Sequence, residues 1–240
     1  GENIVAPDLA TGWEQPDPTT YVFKLNPEAK WQNIAPVNGR AVTAQDIVFS
    51  YKRQQDLKVN ASALSAMATM TAVDDRTLRL TSASPNVEFL QSMTNFANRI
   101  VAKEVVDQFG DLKTAPVVGS GPWIQDDWKT GSIITFKKNP TFWRKDEKGR
   151  VLPYADRLEI LRIPDAATLV SAFRTKQYLV YGTLFGSVTE YNTLKKERPE
   201  LQSVPIAVKY SVGTSLGARP LDLEVARLLL SLRAGGDPGA

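Results

Sequence analysis

The chain has 240 residues, 42% of them hydrophobic and 23% charged, and a net charge of +3. That is enough to bury a core as one large or two modest domains. Lys and Arg are scattered rather than massed into the basic stripe of a phosphate-tracking protein, which argues against a dedicated nucleic-acid surface. Neither cysteine nor histidine occurs, which removes disulfides, thiolate nucleophiles, Ser-His-Asp triads and His-ligated metals, and leaves carboxylates, Lys and Tyr for any catalysis. No apolar run approaches the ~20 residues that span a bilayer. The opening, GENIVAPDLATGWEQ, is not a basic segment followed by an apolar one, so the chain reads as a mature or trimmed product or as a cytosolic protein.

In chain order, TYVFKL alternates with Tyr21, Phe23 and Leu25 on one face, the period of a half-buried strand. In TAQDIVFSYKRQQ, Thr43 with Asp46 three residues on is a capping-box start, and Ile47, Val48 and Tyr51 mark an apolar helical stripe. ATMTAVDDRTLRLTSA holds two strands around an Asp74-Asp75 turn. NVEFLQSMTNF and AKEVVDQFGD read as short helices, the second capped at Gly110. SIITFKK and ADRLEILRIP read as strands. DAATLVSAFRTKQ is a helix capped by Asp165, with Leu169, Val170 and Phe173 on its apolar face. VTEYNTLKKERPELQ is a helix broken near Pro199, VPIAVKYSVGTSLG a strand, and LDLEVARLLLSL an amphipathic helix before a tail without apolar period. There is no internal repeat. Hairpins interspersed with αβ alternation indicate an α/β (mixed α+β) layered fold.

Candidate chemistry concentrates between Gly119 and Trp143, in GSGPWIQDDWKTGSIITFKKNPTFW. Pro122 follows the glycines at once and removes a donor from what a phosphate cradle would need, so Gly119 and Gly121 read as a tight crossing of backbones. Asp126 and Asp127 are adjacent, which on a strand sends them to opposite faces; they read as a turn before Trp128 rather than as a glycosidase pair ~5–10 Å apart. Trp31 and Trp128, beside expected strands, read as core, whereas Trp123 and Trp143 stay open between core and ligand wall.

Motif order adds a resemblance. DLATGWE, TYVFKLNPEAKWQN and NGRAVTAQDIVFSYKR, then GSGPW, KKNPTFW and LPYADRLEILRIPDAATLVSAFRTKQ, resemble in order and spacing the extracytoplasmic solute-binding proteins of peptide-type ABC importers, including the dipeptide-, oligopeptide- and nickel-binding proteins. The resemblance implies a periplasmic-binding-protein-like fold: the first lobe with its extra subdomain, and the second lobe missing. It places the smaller subdomain at residues 1–118, the first-lobe core at 119–212 and the truncated start of the second lobe with a tail at 213–240. The GSGPW segment would be where the chain leaves the subdomain and returns to the first lobe, with Asn139-Pro140 turning Phe142 and Trp143 into packing anchors. The sequence departs at Ala226, where the family pattern has an arginine, and at Lys176 to Leu179, which lose a glycine and an aspartate.

The function so implied is capture of peptides or similar small solutes outside the cytoplasm, at the periplasmic or extracellular face, and delivery to the membrane permease subunits. It involves no cofactor, no metal and no nucleic acid, and the membrane is met only through the permease or a lipid anchor absent from these residues. Cleft-lining candidates lie from Asn60 to Met67, from Phe96 through Asn98 to Arg99, and at Tyr181 with Tyr210. The groups that grip peptide termini are expected largely on the second lobe. The competing readings are a carboxylate-based glycoside hydrolase, which needs two converging carboxyls, and a non-binding interaction module.

Overall fold

The computed structural model describes residues 5–59, 64–95, 98–110, 112–177, 188–200, 203–206 and 225–228. They fall into two compact units, residues 2–160 and residues 161–240. The first unit is built on an antiparallel sheet of β1 (Ala10–Asp17), β2 (Thr20–Leu25), β3 (Met67–Asp74) and β4 (Thr77–Ser82), in the order β1-β2-β4-β3. The alternation of TYVFKL is realised: Tyr21 and Leu25 are buried, and Phe23 packs against the same cluster. The Asp74 carboxylate makes the hairpin turn by accepting from Arg76 N at 2.7 Å. β1 had no sequence signal, since ATGWEQPD carries Gly and Pro and no alternation.

Helix α1 (Ala44–Asp56) lays Ala44, Ile47 and Tyr51 into the core above this sheet, with Leu78 and Leu80 below. Phe89, from the short helix α2 (Phe89–Met93), stacks on Tyr21 with ring centroids 4.6 Å apart. The start of α1 forms through Asp46, whose Oδ2 accepts from Thr43 N at 2.9 Å and Thr43 Oγ1 at 3.2 Å. Asp46 is only 4% exposed, so its charge needs partners. Arg40 supplies them in fork geometry, Nη1 to Oδ2 at 2.8 Å and Nη2 to Oδ1 at 2.7 Å, and Trp31 Nε1 donates at 3.2 Å. The same guanidinium reaches Glu104 on α3 (Lys103–Phe109) and, beside it, holds the Glu104 carboxyl below its ordinary range. In return the two carboxylates raise the Arg40 pKa further.

Below the same buried face of α1, Ser50 Oγ donates to Val101 O at 3.1 Å and accepts from Val101 N at 2.9 Å, while Gln54 Nε2 donates to Arg99 O at 3.0 Å. Asp46, Ser50 and Gln54 recur every fourth residue, which aligns them on one stripe. Ser50 and Gln54 supply hydrogen bonds to Arg99–Val101, a segment that belongs to no helix or strand.

A second cluster gathers Ala29, Trp31, Val37, Val42, Ala102 and Val105, with Trp143 packed at its margin. Trp31 sits on a hairpin-like loop closed by Trp31 N to Arg40 O and Val42 N to Ala29 O. The loop turns at Asn38 and Gly39, both at positive φ (53° and 72°), a geometry that Asn-Gly tolerates best.

Strands β5 (Trp123–Lys129), β6 (Ile133–Lys138) and β7 (Arg157–Leu161) form a second sheet in that order. Two expectations fail here. Asp126 and Asp127 are not a turn; they lie inside β5, where the register shifts between Gln125 and Asp127, and the turn falls at Gly131 with φ 78°. Trp128 is not core but 56% exposed, because β5 is an edge strand.

In the second unit, Asp165 caps α4 (Ala166–Arg174) as expected, accepting from Thr168 N at 2.7 Å. Phe173 is fully buried, as is Leu194 of α5 (Val188–Glu197). Arg198 closes this core by donating to Phe173 O at 2.8 Å from over the Phe173 ring. Of LDLEVARLLLSL, expected as a helix, the described residues Val225–Leu228 form β9, antiparallel to β8 (Ser203–Ile206), and the rest lie outside the described residues. A short apolar run suits either state, and the β8 backbone decides it.

Replacing Asp46 by Ala strands Arg40, Trp31 Nε1 and Thr43 N together. The expected cost is about 3 kcal/mol, the lower end for breaking a buried ion pair, because Arg40 keeps Glu104. Urea unfolding measures it, and a loss under about 1 kcal/mol contradicts the role given to this carboxylate.

Candidate functional site

The GSGPW segment is a crossing, but glycine packing is not what makes it one. A Cβ at Gly121 would meet nothing within 4 Å, and one at Gly119 only Gly121 N at 3.8 Å. The segment is clamped instead by two buried amides. Gln32, 2% exposed, exchanges backbone and side-chain bonds with Gly119 (Gln32 N to Gly119 O at 2.8 Å, Gly119 N to Gln32 Oε1 at 3.0 Å) and donates from Nε2 to Trp123 O at 2.7 Å. Asn139, 1% exposed, donates to Gly121 O at 3.0 Å from Nδ2 and to Pro122 O at 2.8 Å from its backbone. Its Oδ1 also accepts from Thr141 N at 3.1 Å, the Asx turn that aims Phe142 and Trp143. The loop from Ala29 to Val42 is thereby tied to the entry of β5. Asn139 was expected from sequence as a turn residue, and the turn is there; Gln32 was not found, because it and Gly119 are 87 positions apart and a glutamine after a tryptophan carries no local signal.

The acidic pair cannot act as two converging carboxyls. Asp126 faces Lys137 at 3.5 Å and Arg157 at 4.0 Å, while Asp127 Oδ1 accepts from Trp128 N at 2.8 Å. Among the described residues, no group of three or more His, Cys, Asp and Glu side chains is placed to hold a metal ion. No described helix is long and apolar enough to cross a membrane.

Of the expected cleft residues, Met67, Asn98 and Arg99 are described; Asn60, Phe96, Tyr181 and Tyr210 lie outside the described residues. Met67 opens β3 and is 7% exposed. It forms the floor of a hollow of about 380 Å³ at the end of α1, with Gln55, Lys58, Leu64 and Ser65. Asn98 is partly buried, donating from Nδ2 to Ser92 O at 2.8 Å and from its backbone to Asn95 O at 2.9 Å. It borders a second, largely apolar hollow of about 490 Å³ between α1 and the sheet, lined also by Leu9, Trp13, Phe23 and Tyr51. Burial pushes the Tyr51 hydroxyl up to about 12, so it stays neutral there. The Arg99 side chain is exposed while its backbone is held by Gln54. The structure therefore brings Asn98 and Arg99 together on one loop and places Met67 in another hollow.

The sequence model for bacterial extracellular solute-binding proteins, family 5 Middle, matches residues 5–221, and the chain belongs to this family. The periplasmic oligopeptide-binding protein OppA of Escherichia coli (strain K12) is 24% identical over 217 residues, which are 81% of this chain and 38% of that protein. The dipeptide-binding protein DppE of Bacillus subtilis (strain 168) is 32% identical over 163 residues, 58% of this chain and 29% of that protein. The solved structure of OppA from Burkholderia pseudomallei shares the fold, with a TM-score of 0.70 at 24% identity over 84% of this chain and 42% of that one. The chain spans less than half the length of each of these relatives.

Gln32→Ala should cost about 1–3 kcal/mol, because it removes the side-chain partner of part-buried backbone groups of Gly119 and Trp123. Thermal unfolding reads this, and an unchanged melting temperature contradicts the clamp.

Proposed function

We propose that this chain serves in the substrate-binding component of an ABC importer, capturing peptides or similar small solutes outside the cytoplasm and handing them to the membrane permease. The observation that supports it is the family match across residues 5–221. With it go relatives named for oligopeptide and dipeptide binding. Capture is non-covalent and proceeds by closure of two lobes on the ligand. The membrane is met only through the permease or a lipid anchor. The smaller subdomain is assigned to residues 1–118, the first-lobe core to 119–212 and the start of the second lobe to 213–240.

The residues assigned to the solute are Asn60, Met67, Phe96, Asn98, Arg99, Tyr181 and Tyr210. Arg99 combines an exposed cationic side chain with a backbone fixed by Gln54, which is the arrangement a ligand carboxylate or carbonyl needs. A fixed backbone lowers the ordering cost of binding. Met67 offers an adaptable apolar floor.

Small-molecule sites bury ~70–90% of their ligand's surface, and one lobe provides about half of that contact. Residues 1–240 alone should therefore bind di- to pentapeptides with dissociation constants of roughly 10 μM to 1 mM. Arg99→Ala should weaken this about tenfold while changing stability by no more than about 0.5 kcal/mol. Titration calorimetry against a mixed peptide pool is the test. No heat at millimolar peptide contradicts the proposed capture, and submicromolar binding contradicts the need for a second lobe.

A further inference from the structure

Strand β5 is bonded to β6 on one side and, among the described residues, has no strand on the other. An open edge offers N–H and C=O groups on which another chain can add a strand. The register decides which groups of β5 face outward. In an antiparallel ladder, successive residues of a strand bond alternately to its two sides. Lys138 N donates to Asp156 O beside β7, so Ile134, four residues back on β6, also turns its backbone toward β7. Trp123 and Trp128 stand opposite Lys138 and Ile134, so their own backbone groups point to the open edge. The extra residue between Gln125 and Asp127 lies on β5 and leaves the alternation along β6 intact.

Side chains already hold two of these outward groups. Gln32 Nε2 donates to Trp123 O at 2.7 Å. Further along, Asp127 Oδ1 accepts from Trp128 N at 2.8 Å. The two bonds differ in kind. Gln32 comes from a distant loop and ties it to β5, whereas Asp127 bonds the residue next to it and joins no two parts of the fold. Its neighbour Asp126 faces Lys137 and Arg157 on the sheet. Trp128 itself is 56% exposed, and a large apolar side chain on an open edge favours strand-to-strand association.

The side chains of β5 would permit a second copy to pair there. With a two-fold axis at Trp128, the two β5 strands run antiparallel and each Trp128 exchanges N–H···O bonds with the other. That register sets Asp127 of each copy opposite Lys129 of the other, so no like charges meet across it. What stands against the pairing is the backbone, because Trp128 N–H is already taken. We propose that Asp127 is an edge guard, which by holding Trp128 N–H keeps β5 from pairing with the β5 of a second copy.

The test is sedimentation equilibrium of the whole chain over a range of concentrations, with amide exchange on the same samples. Asp127→Ala, an exposed change, should tighten self-association about tenfold, because each copy gains a free N–H at the junction. Its Trp128 amide should become protected as the concentration rises. Asp127→Asn keeps an acceptor oxygen and should associate like the parent. Asp126→Ala removes the same charge one residue away and should do the same. Unchanged association in Asp127→Ala overturns the proposal. Equal tightening in Asp127→Asn or Asp126→Ala also overturns it, since lost charge and not the freed N–H would then be the cause. Tightening that leaves the Trp128 amide unprotected does so too, because it places the contact on another surface.

Discussion

The first unit depends on how one buried carboxylate is neutralised. Asp46, 4% exposed, lies where the loop carrying Trp31, the first turn of α1 and the start of α3 converge. A charge at that depth is tolerable only if it is paired and hydrogen-bonded. It accepts from Arg40, Trp31 Nε1 and Thr43. Each of those donors fixes a different element. Arg40 passes the constraint on to Glu104, so α3 is positioned by the charge that caps α1. The apolar clusters on either side supply most of the burial, and the carboxylate specifies how they register.

The same helix carries that constraint toward the proposed ligand loop. One turn after Asp46, Ser50 binds both backbone groups of Val101, and one turn later Gln54 binds Arg99 O. The loop containing Asn98 and Arg99 therefore has its backbone organised by a helix, while the Arg99 side chain stays outside. Gln32 does the equivalent for the entry of β5. In both places a buried amide or hydroxyl stands in for a missing strand partner. Such a frame can present side chains to a solute without first having to order them.

Much of this was legible in the sequence, for local reasons. Thr43 with Asp46, the Asp74-Asp75 turn, Gly110 after α3 and Asp165 before α4 all act within three or four residues of themselves, and each element appears where its signal stands. The failures share a cause. Asp126-Asp127 looks like a turn until a partner strand is supplied, and Trp128 looks like core until its strand is found at a sheet edge. Val225–Leu228 looks helical until β8 claims its backbone. The family was readable from motif order because framework motifs are local. The clamps were not, since Gln54 and Arg99 are 45 positions apart and polar pairing at that range leaves no periodicity to read.

On this reading, the polar stripe of α1 holds the proposed ligand loop in place before any solute arrives. Amide hydrogen exchange at Val101, whose N–H donates to Ser50 Oγ at 2.9 Å, tests it directly. In the ligand-free protein this amide should be protected nearly as well as those of β2 and β4. In Ser50→Ala it should lose that protection while the sheet amides keep theirs. Fast exchange of Val101 in the parent protein, or protection that persists in Ser50→Ala, would contradict the account.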